Sequence, residues 1–274
     1  MVAASPAVLG LIADHCTRGL TLPSIDRVLS FGAPLRPRLA DALCAVLRPD
    51  VEVLSVYGTT ECLPVSAVTA TELRTLRTAA QCVRAGTCVG RPVPGVEVRV
   101  LEADGVGVGE IAVAGRNVSA AYHARPRATA ASQVAADCGL LHRTGDLGRL
   151  DDQGRLWFHG RKAQRVTGHG FVLTTESVEA AADTVAGVVR TALVGVGPPG
   201  GQRAALCAEL EAGADHDRPA VAAALHEALA RHPDGHHVRH VLIHPCLPTD
   251  IRHNSKINRE RLADWATKRL RRAR

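Results

Sequence analysis

Between residues 6 and 47 the apolar positions switch between helical and strand spacing. They predict a helix around Pro6–Cys16, a strand over Arg27–Phe31 and a helix from Arg36 to Leu47. A further strand, Val51–Val56, runs into the polar segment Tyr57-Gly58-Thr59-Thr60-Glu61. From about Gly86 to His159 the texture changes to short β segments punctuated by glycine and proline. The strands expected there are Val96–Leu101, Glu110–Ala114, Leu140–His142 and Leu156–His159, suggesting a small barrel or sandwich. After Gly160 two helices, Thr175–Asp183 and Arg218–Arg231, alternate with strands Val188–Gly195, Ala205–Glu209 and Val238–Ile243. That pattern predicts α/β material followed by a separate α+β domain of about 110 residues.

A length of 274 residues with 46% apolar content supports a buried core, and disorder is excluded. Three Phe, two Trp and two Tyr make that core aliphatic and argue against base-stacking nucleic-acid surfaces. The net charge of +6 is mild, and the basic run Lys268–Arg274 reads better as a solvated helix end than as a nucleic-acid tail. Only three of the 33 basic residues are lysine (Lys162, Lys256 and Lys268), so each is conspicuous. Eight cysteines without a CxxC pair suit reduced core residues of a cytoplasmic protein, and no stretch reaches the ~18 apolar residues of a membrane span.

Four polar islands carry candidate chemistry. Tyr57-Gly58-Thr59-Thr60-Glu61 offers an aromatic face, a close backbone approach, hydroxyls for a phosphate and a carboxylate for Mg²⁺, though a strand-to-loop turn has the same composition. His142-Arg143-Thr144-Gly145-Asp146 places a carboxylate just past a tight turn, suited to a ribose diol or to ordinary hairpin chemistry. Gly160-Arg161-Lys162 lies at the change of composition, as a nucleotide-reaching joint or a basic linker. The polar loop Leu247–Arg259 carries Lys256, a cation able to neutralise phosphate and carboxylate together, or a surface loop residue.

These islands occur in series, with Gly109, Glu110, Val113 and Gly115 forming Gly-Glu-x-x-Val-x-Gly between the first and second. The succession resembles the C-terminal half of the adenylate-forming (AMP-binding) superfamily, and Val28–Leu35 looks like that family's turn beside the adenine. Two stretches depart from its usual pattern: Gly160–Val166, where Asp-x-Gln-x-Lys ordinarily follows Gly-Arg, and Asp250–Ile257, where the usual loop reads Thr-x-x-Gly-Lys. Both departures, with Tyr57–Val65, resemble the β-lactone synthetases of bacterial olefin and β-lactone biosynthesis.

The resemblance implies the C-terminal part of an adenylate-forming fold: residues 1–161 as the end of the large AMP-binding domain with a β subdomain, and 162–274 as a mobile α+β lid. It implies ATP or AMP lying against Gly32, Ala33, Pro34, Tyr57, Gly58, Thr60, Asp146 and Arg161, with Mg²⁺ on Glu61 and catalytic roles for Lys256, Thr60 and Glu61. The activity implied is ATP-dependent activation of a 3-hydroxy acid and closure of its hydroxyl onto the carboxyl as a β-lactone. An acyl-CoA synthetase, a peptide-synthetase adenylation domain or a non-catalytic nucleotide- or partner-binding remnant remain alternatives. The family's Ser/Thr/Gly-rich phosphate loop has no counterpart here. Gly195–Gly200 matches GxGxxG but has two prolines and reads as a loop, and Gly105, Gly107 and Gly109 read as a hairpin turn. A half-length chain is therefore expected, with a separately encoded N-terminal half among its expected partners. Clustered histidines (His232, His236, His237, His240, His244) fit no zinc spacing.

Overall fold

The computed structural model describes residues 1–17, 19, 22–77, 86–137, 139–211, 217–250 and 256–272. The chain separates into two compact units, Met1–Cys82 with Cys88–Phe158, and Val83–Thr87 with His159–Arg274.

The first segment alternates β1 (Val2–Ala4), α1 (Pro6–Thr17), β2 (Arg27–Phe31), α2 (Pro37–Val46) and β3 (Glu52–Thr59). β1, β2 and β3 are parallel, and Leu9, Ala13, Ala40 and Leu43 of the two helices are buried. Pro37 opens α2, where its missing N–H costs no hydrogen bond. β4 (Cys62–Thr69) returns antiparallel to β3 and leads into α3 (Ala70–Arg77). Then follow β5 (Thr87–Pro92), β6 (Val96–Leu101), β7 (Gly109–Gly115), α4 (Pro126–Ala131), β8 (Gln133–Ala136), β9 (Gly139–Leu150) and β10 (Leu156–Arg161).

The strands between residues 86 and 161 do not close into a barrel or pack as a separate sandwich. They extend the same ten-stranded sheet in the order β1-β2-β3-β4-β5-β10-β9-β7-β6, with β8 on β9. β5 has β4 on one side and β10 on the other, so neither of its edges is left for β6 to pair with and close a barrel. Cys62, Val65, Val89, Val98, Ile111, Val113 and Leu156 form the core there, with Tyr57 against it.

The second unit contains a small hairpin, β11 (Val166–Gly168) and β12 (Phe171–Leu173), and then α5 (Thr175–Ala182), β13 (Val188–Val196), β14 (Arg203–Leu210), α6 (Arg218–Arg231), β15 (Val238–Ile243) and α7 (Arg259–Arg272). Strands β13, β14 and β15 form one sheet in that order. Its period-two alternation explains why both faces are covered. Leu193, Ala204, Leu206 and Ala208 share a core with Val178 of α5 and Val221 and Leu225 of α6. Ala192, Val194, Val196, Ala205 and Cys207 share the opposite core with Leu262, Ala266 and Leu270 of α7.

Gly195–Gly200 forms the end of β13 and the turn into β14, where Gly201 N–H donates to the Pro198 carbonyl at 3.0 Å. Among the described cysteines, Cys62, Cys88 and Cys207 are buried, but Cys246 is exposed, contrary to the expectation that the cysteines fill the core. It lies after β15, just before the polar loop that starts at Leu247. No described helix is long and apolar enough to cross a membrane.

Candidate functional site

Phe31 pairs in register with Val56 on the parallel neighbour, so Gly32-Ala33-Pro34 leaves the sheet at the carboxyl ends of β2 and β3. In parallel α/β sheets that edge is where ligands bind, because the loops diverge and leave a crevice. Gly32 has φ +88°, and the space where a side chain would begin is empty for 4 Å. β3 continues past the expected end at Val56 through Tyr57 and Gly58, and Thr59 pairs with Cys62. Thr60 and Glu61 are therefore the two residues of a hairpin turn, and Thr60 is exposed.

Tyr57 reaches across the fold. Its hydroxyl donates to Asp146 Oδ2 at 2.9 Å, and its ring lies 5.7 Å from that of Phe158. Asp146 is not past a tight turn, as the Thr-Gly-Asp triplet suggested. It sits within the 12-residue strand β9, where the pairing with β7 shifts register between Glu110 and Ala112. Gly145 at φ +72° absorbs that irregularity, a conformation that side chains resist. The Thr144 hydroxyl donates to the Ile111 carbonyl at 2.8 Å and accepts from Asp146 N–H at 3.1 Å, which fixes the carboxylate's approach. Asp146 is only 4% exposed.

Glu61 has a partner that the motifs did not reveal. Tyr122, in the segment between β7 and α4, donates its hydroxyl to Glu61 Oε1 at 2.8 Å, while Ser119 N–H donates to the Glu61 carbonyl at 2.7 Å. Burial pushes the Glu61 carboxyl up, but the Tyr122 hydroxyl, the residue's own N–H, the Thr59 hydroxyl and nearby His142 outweigh it, and the pKa falls below the ordinary value. The carboxylate is thus kept ionised. The Tyr122 ring lies 6.2 Å from His142, so this corner draws on β3, β9 and the segment before α4. The only sequence signal for Tyr122 was rarity, as one of two tyrosines. A lone carboxylate of this kind suits Mg²⁺, which takes one or two protein carboxylates and fills its remaining positions with phosphate oxygens and water.

Arg161 and Lys256 belong to the second unit, and both are exposed. Gly160 has φ +106°, and a Cβ there would meet the Thr175 hydroxyl at 2.3 Å, so glycine is obligatory just before Arg161. The polar loop is closed by a short ladder. Asn258 N–H donates to the Pro248 carbonyl at 2.8 Å, Thr249 bridges Ile257, and Asp250 N–H donates to the Lys256 carbonyl at 2.9 Å. Lys256 N–H in turn donates to Asp250 Oδ1 at 3.2 Å. Residues 251–255, part of the same island, lie outside the described residues.

Three comparisons with known proteins bear on this arrangement. Residues 1–123 match the family described as AMP-binding enzyme. The chain is 45% identical, over 97% of its length, to the olefin beta-lactone synthetase of Stenotrophomonas maltophilia, of which it covers 51%. It is 40% identical, over 96% of its length, to the olefin beta-lactone synthetase of Xanthomonas campestris pv. campestris, of which it covers 50%. Among solved structures it superimposes on the amide bond synthetase McbA of Marinactinospora thermotolerans with a TM-score of 0.77 and 26% identity, covering 96% of this chain and 52% of that one. The chain spans about half the length of the curated relatives it matches. The relationship read from the order of the motifs thus extends along nearly the whole sequence, and the mixed α/β fold matches adenylate-forming enzyme structures over about half of their length.

Proposed function

We propose that this chain, matched to the AMP-binding enzymes over residues 1–123, is the C-terminal half of an ATP-dependent carboxylate-activating ligase of β-lactone synthetase type acting on 3-hydroxy acids. The observation that carries the reading is 45% identity to an olefin beta-lactone synthetase over 97% of the chain. The geometry supports it. Gly32, Ala33, Pro34, Tyr57 and Gly58 meet at the carboxyl edge of the parallel strands, the expected place for a nucleotide.

In this proposal Asp146 holds the ribose, its carboxylate oriented by Tyr57 and Thr144. Thr60, at the exposed hairpin tip, meets the α-phosphate. Glu61 fits Mg²⁺, which when bound supplies charge neutralisation to the phosphates, and the Tyr122 hydroxyl sets the direction of the carboxylate. Arg161 assists at the ribose, and Lys256, carried by a lid of residues 162–274, assists adenylation. An acid's carboxylate oxygen attacks the α-phosphorus and pyrophosphate leaves. Two anions must approach in line, so the Lys256 ammonium acts on charge that appears in the transition state. The 3-hydroxyl oxygen then attacks the acyl carbon, AMP departs and the hydroxyl proton is released, giving the four-membered lactone. The N-terminal half, encoded separately or in one longer chain, supplies the phosphate loop.

The test joins this chain to the N-terminal half of a relative and follows products by mass spectrometry with and without coenzyme A. A β-lactone from a 3-hydroxy acid without coenzyme A is expected, and a thioester as the main product would move the chain to the acyl-CoA synthetases. Lys256→Ala in that enzyme is expected to lower the adenylation rate roughly 10²–10³-fold with little change in ATP binding, on the scale of removing one preorganised donor.

A further inference from the structure

Lys256 is exposed, and an exposed cation on a loop is useful to chemistry only if its backbone is held in place. The structure shows what holds it, and the holder is a group to which the motifs gave no role. Arg259, the first residue of α7 and three positions beyond Lys256, turns inward rather than to solvent. It donates from both terminal nitrogens to Glu179 of α5, at 2.6 Å to Oε1 and 2.9 Å to Oε2. It also donates to the Leu193 carbonyl at 2.9 Å, and Leu193 N–H donates to Glu179 Oε1 at 2.7 Å. Leu193 lies on β13, the edge strand of its sheet, so the ion pair caps backbone groups that no neighbouring strand takes.

The Nε–H of Arg259 does something the ion pair does not require. Nε donates to Gln164 Oε1 at 3.1 Å, and Gln164 belongs to the single helical turn Lys162–Gln164 that follows Arg161. Arg259, joined through the backbone to the leg of the loop with Lys256, therefore reaches across 95 residues of sequence to the joint with Lys162. The other leg is fixed independently. Leu247 is buried in the α7 core and its N–H donates to Glu209 at 2.7 Å. Ile257 packs against the same core. The planar fork of arginine suits this, since its five donors hold fixed relative directions that lysine cannot reproduce.

We propose that Arg259, seated on Glu179 and reaching Gln164 through Nε, is a positioning residue that couples the Lys162–Gln164 turn to the Lys256 loop so that the two lysines are displaced together. The coupling itself is independent of the activity. Its catalytic consequence rests on the assignment of Lys256 to adenylation made above.

The composition of the chain supplies the experiment. With lysine only at 162, 256 and 268, a lysine-specific protease reports on the joint, on the loop and on α7 as three separate cleavages. Gln164→Leu removes the acceptor while leaving the buried ion pair intact, and Gln164→Glu restores an acceptor. For the native chain, Gln164→Leu is expected to speed cleavage after both Lys162 and Lys256 by about tenfold, the scale of one charge-assisted hydrogen bond. Cleavage after Lys268 should stay near that of the parent while the melting temperature falls by no more than a few degrees, and Gln164→Glu should return both rates to those of the parent. Acceleration at Lys162 alone, or equal acceleration by Leu and Glu, overturns the coupling. In the enzyme joined to an N-terminal half, Gln164→Leu should lower kcat for adenylation about tenfold with KM for ATP unchanged, again rescued by Glu. If Lys256→Ala leaves the rate intact, the assignment of Lys256 fails while the proteolytic coupling stands. If Lys256→Ala slows the reaction and Gln164→Leu does not, the positioning role fails.

Discussion

The two units order their polar groups by opposite means. In the first, candidate ligand-binding side chains hold one another directly: Tyr57 contacts Asp146 across 89 residues of sequence, and Tyr122 contacts Glu61 across 61. In the second, Arg161 and Lys256 are exposed, and the bonding that places the Lys256 loop belongs to Glu179, Arg259 and Gln164. The comparison teaches that polar groups set on the strands and turns of one sheet can share their hydrogen bonds with one another. Lys256, presented from a loop, is exposed at its tip and held through the backbone of that loop.

The sharpest way to break this contrast is to remove the buried carboxylate. Burial pushes the Glu179 carboxyl up even against the pull of Arg259, and Glu179→Ala leaves a largely buried guanidinium with its main partner gone. A loss of about 3–5 kcal/mol is expected from the second unit in urea unfolding. The transition of the first unit should not move. A loss below about 1 kcal/mol would show that water or another acceptor replaces the carboxylate.

For the first unit the corresponding experiment concerns a nucleotide. If Tyr57 and Asp146 form a half-site, the chain binds AMP weakly by calorimetry, and Asp146→Ala removes about 1.5–3 kcal/mol of that affinity. Equal heats from both proteins would reduce Asp146 to a structural residue of β9.

Acid offers a third test. Asp151, between β9 and β10, is pushed up by burial but pulled down more strongly by Trp157 Nε1–H, by the Arg155 N–H and guanidinium and by Gln153 N–H, to about 2 from 3.8. A carboxyl depressed in the folded state contributes stability that is complete above the unfolded value. That stability is lost as pH falls through the folded one. The first unit should therefore weaken by about 2 kcal/mol between pH 4 and pH 2. Asp151→Asn should flatten that limb, and an unchanged acid slope would remove Asp151 from the account.

The smallest effect is expected at Tyr122→Phe, which deletes one hydroxyl from Glu61 and should cost about 0.5–1.5 kcal/mol. Its signature is a Glu61 carboxyl titrating higher by NMR, because a donor that favoured the ionised form is gone. No change in that titration would mean that Thr59 and the backbone suffice.

Periodicity alone located the regular elements: β2 over Arg27–Phe31, β6 over Val96–Leu101, α6 over Arg218–Arg231 and β15 over Val238–Ile243 lie where the apolar spacing put them. Local spacing suffices because burial of one face or stripe is a property of neighbouring residues. The order of the polar islands likewise identified the enzyme relatives. Three things were decided by tertiary contact. The β-rich middle joined the first sheet instead of closing on itself, since strand partners are chosen by distant segments. Thr144-Gly145-Asp146 became an irregularity inside β9 instead of a turn, since the same glycine conformation serves both and only the pairing with β7 selects between them. The partners of the motif residues, Tyr122 for Glu61 and Glu179 with Gln164 for Arg259, are polar groups separated from them by 61 to 95 residues. A sequence pattern records which groups a segment carries, and only the folded chain determines which of them come within 3 Å of one another.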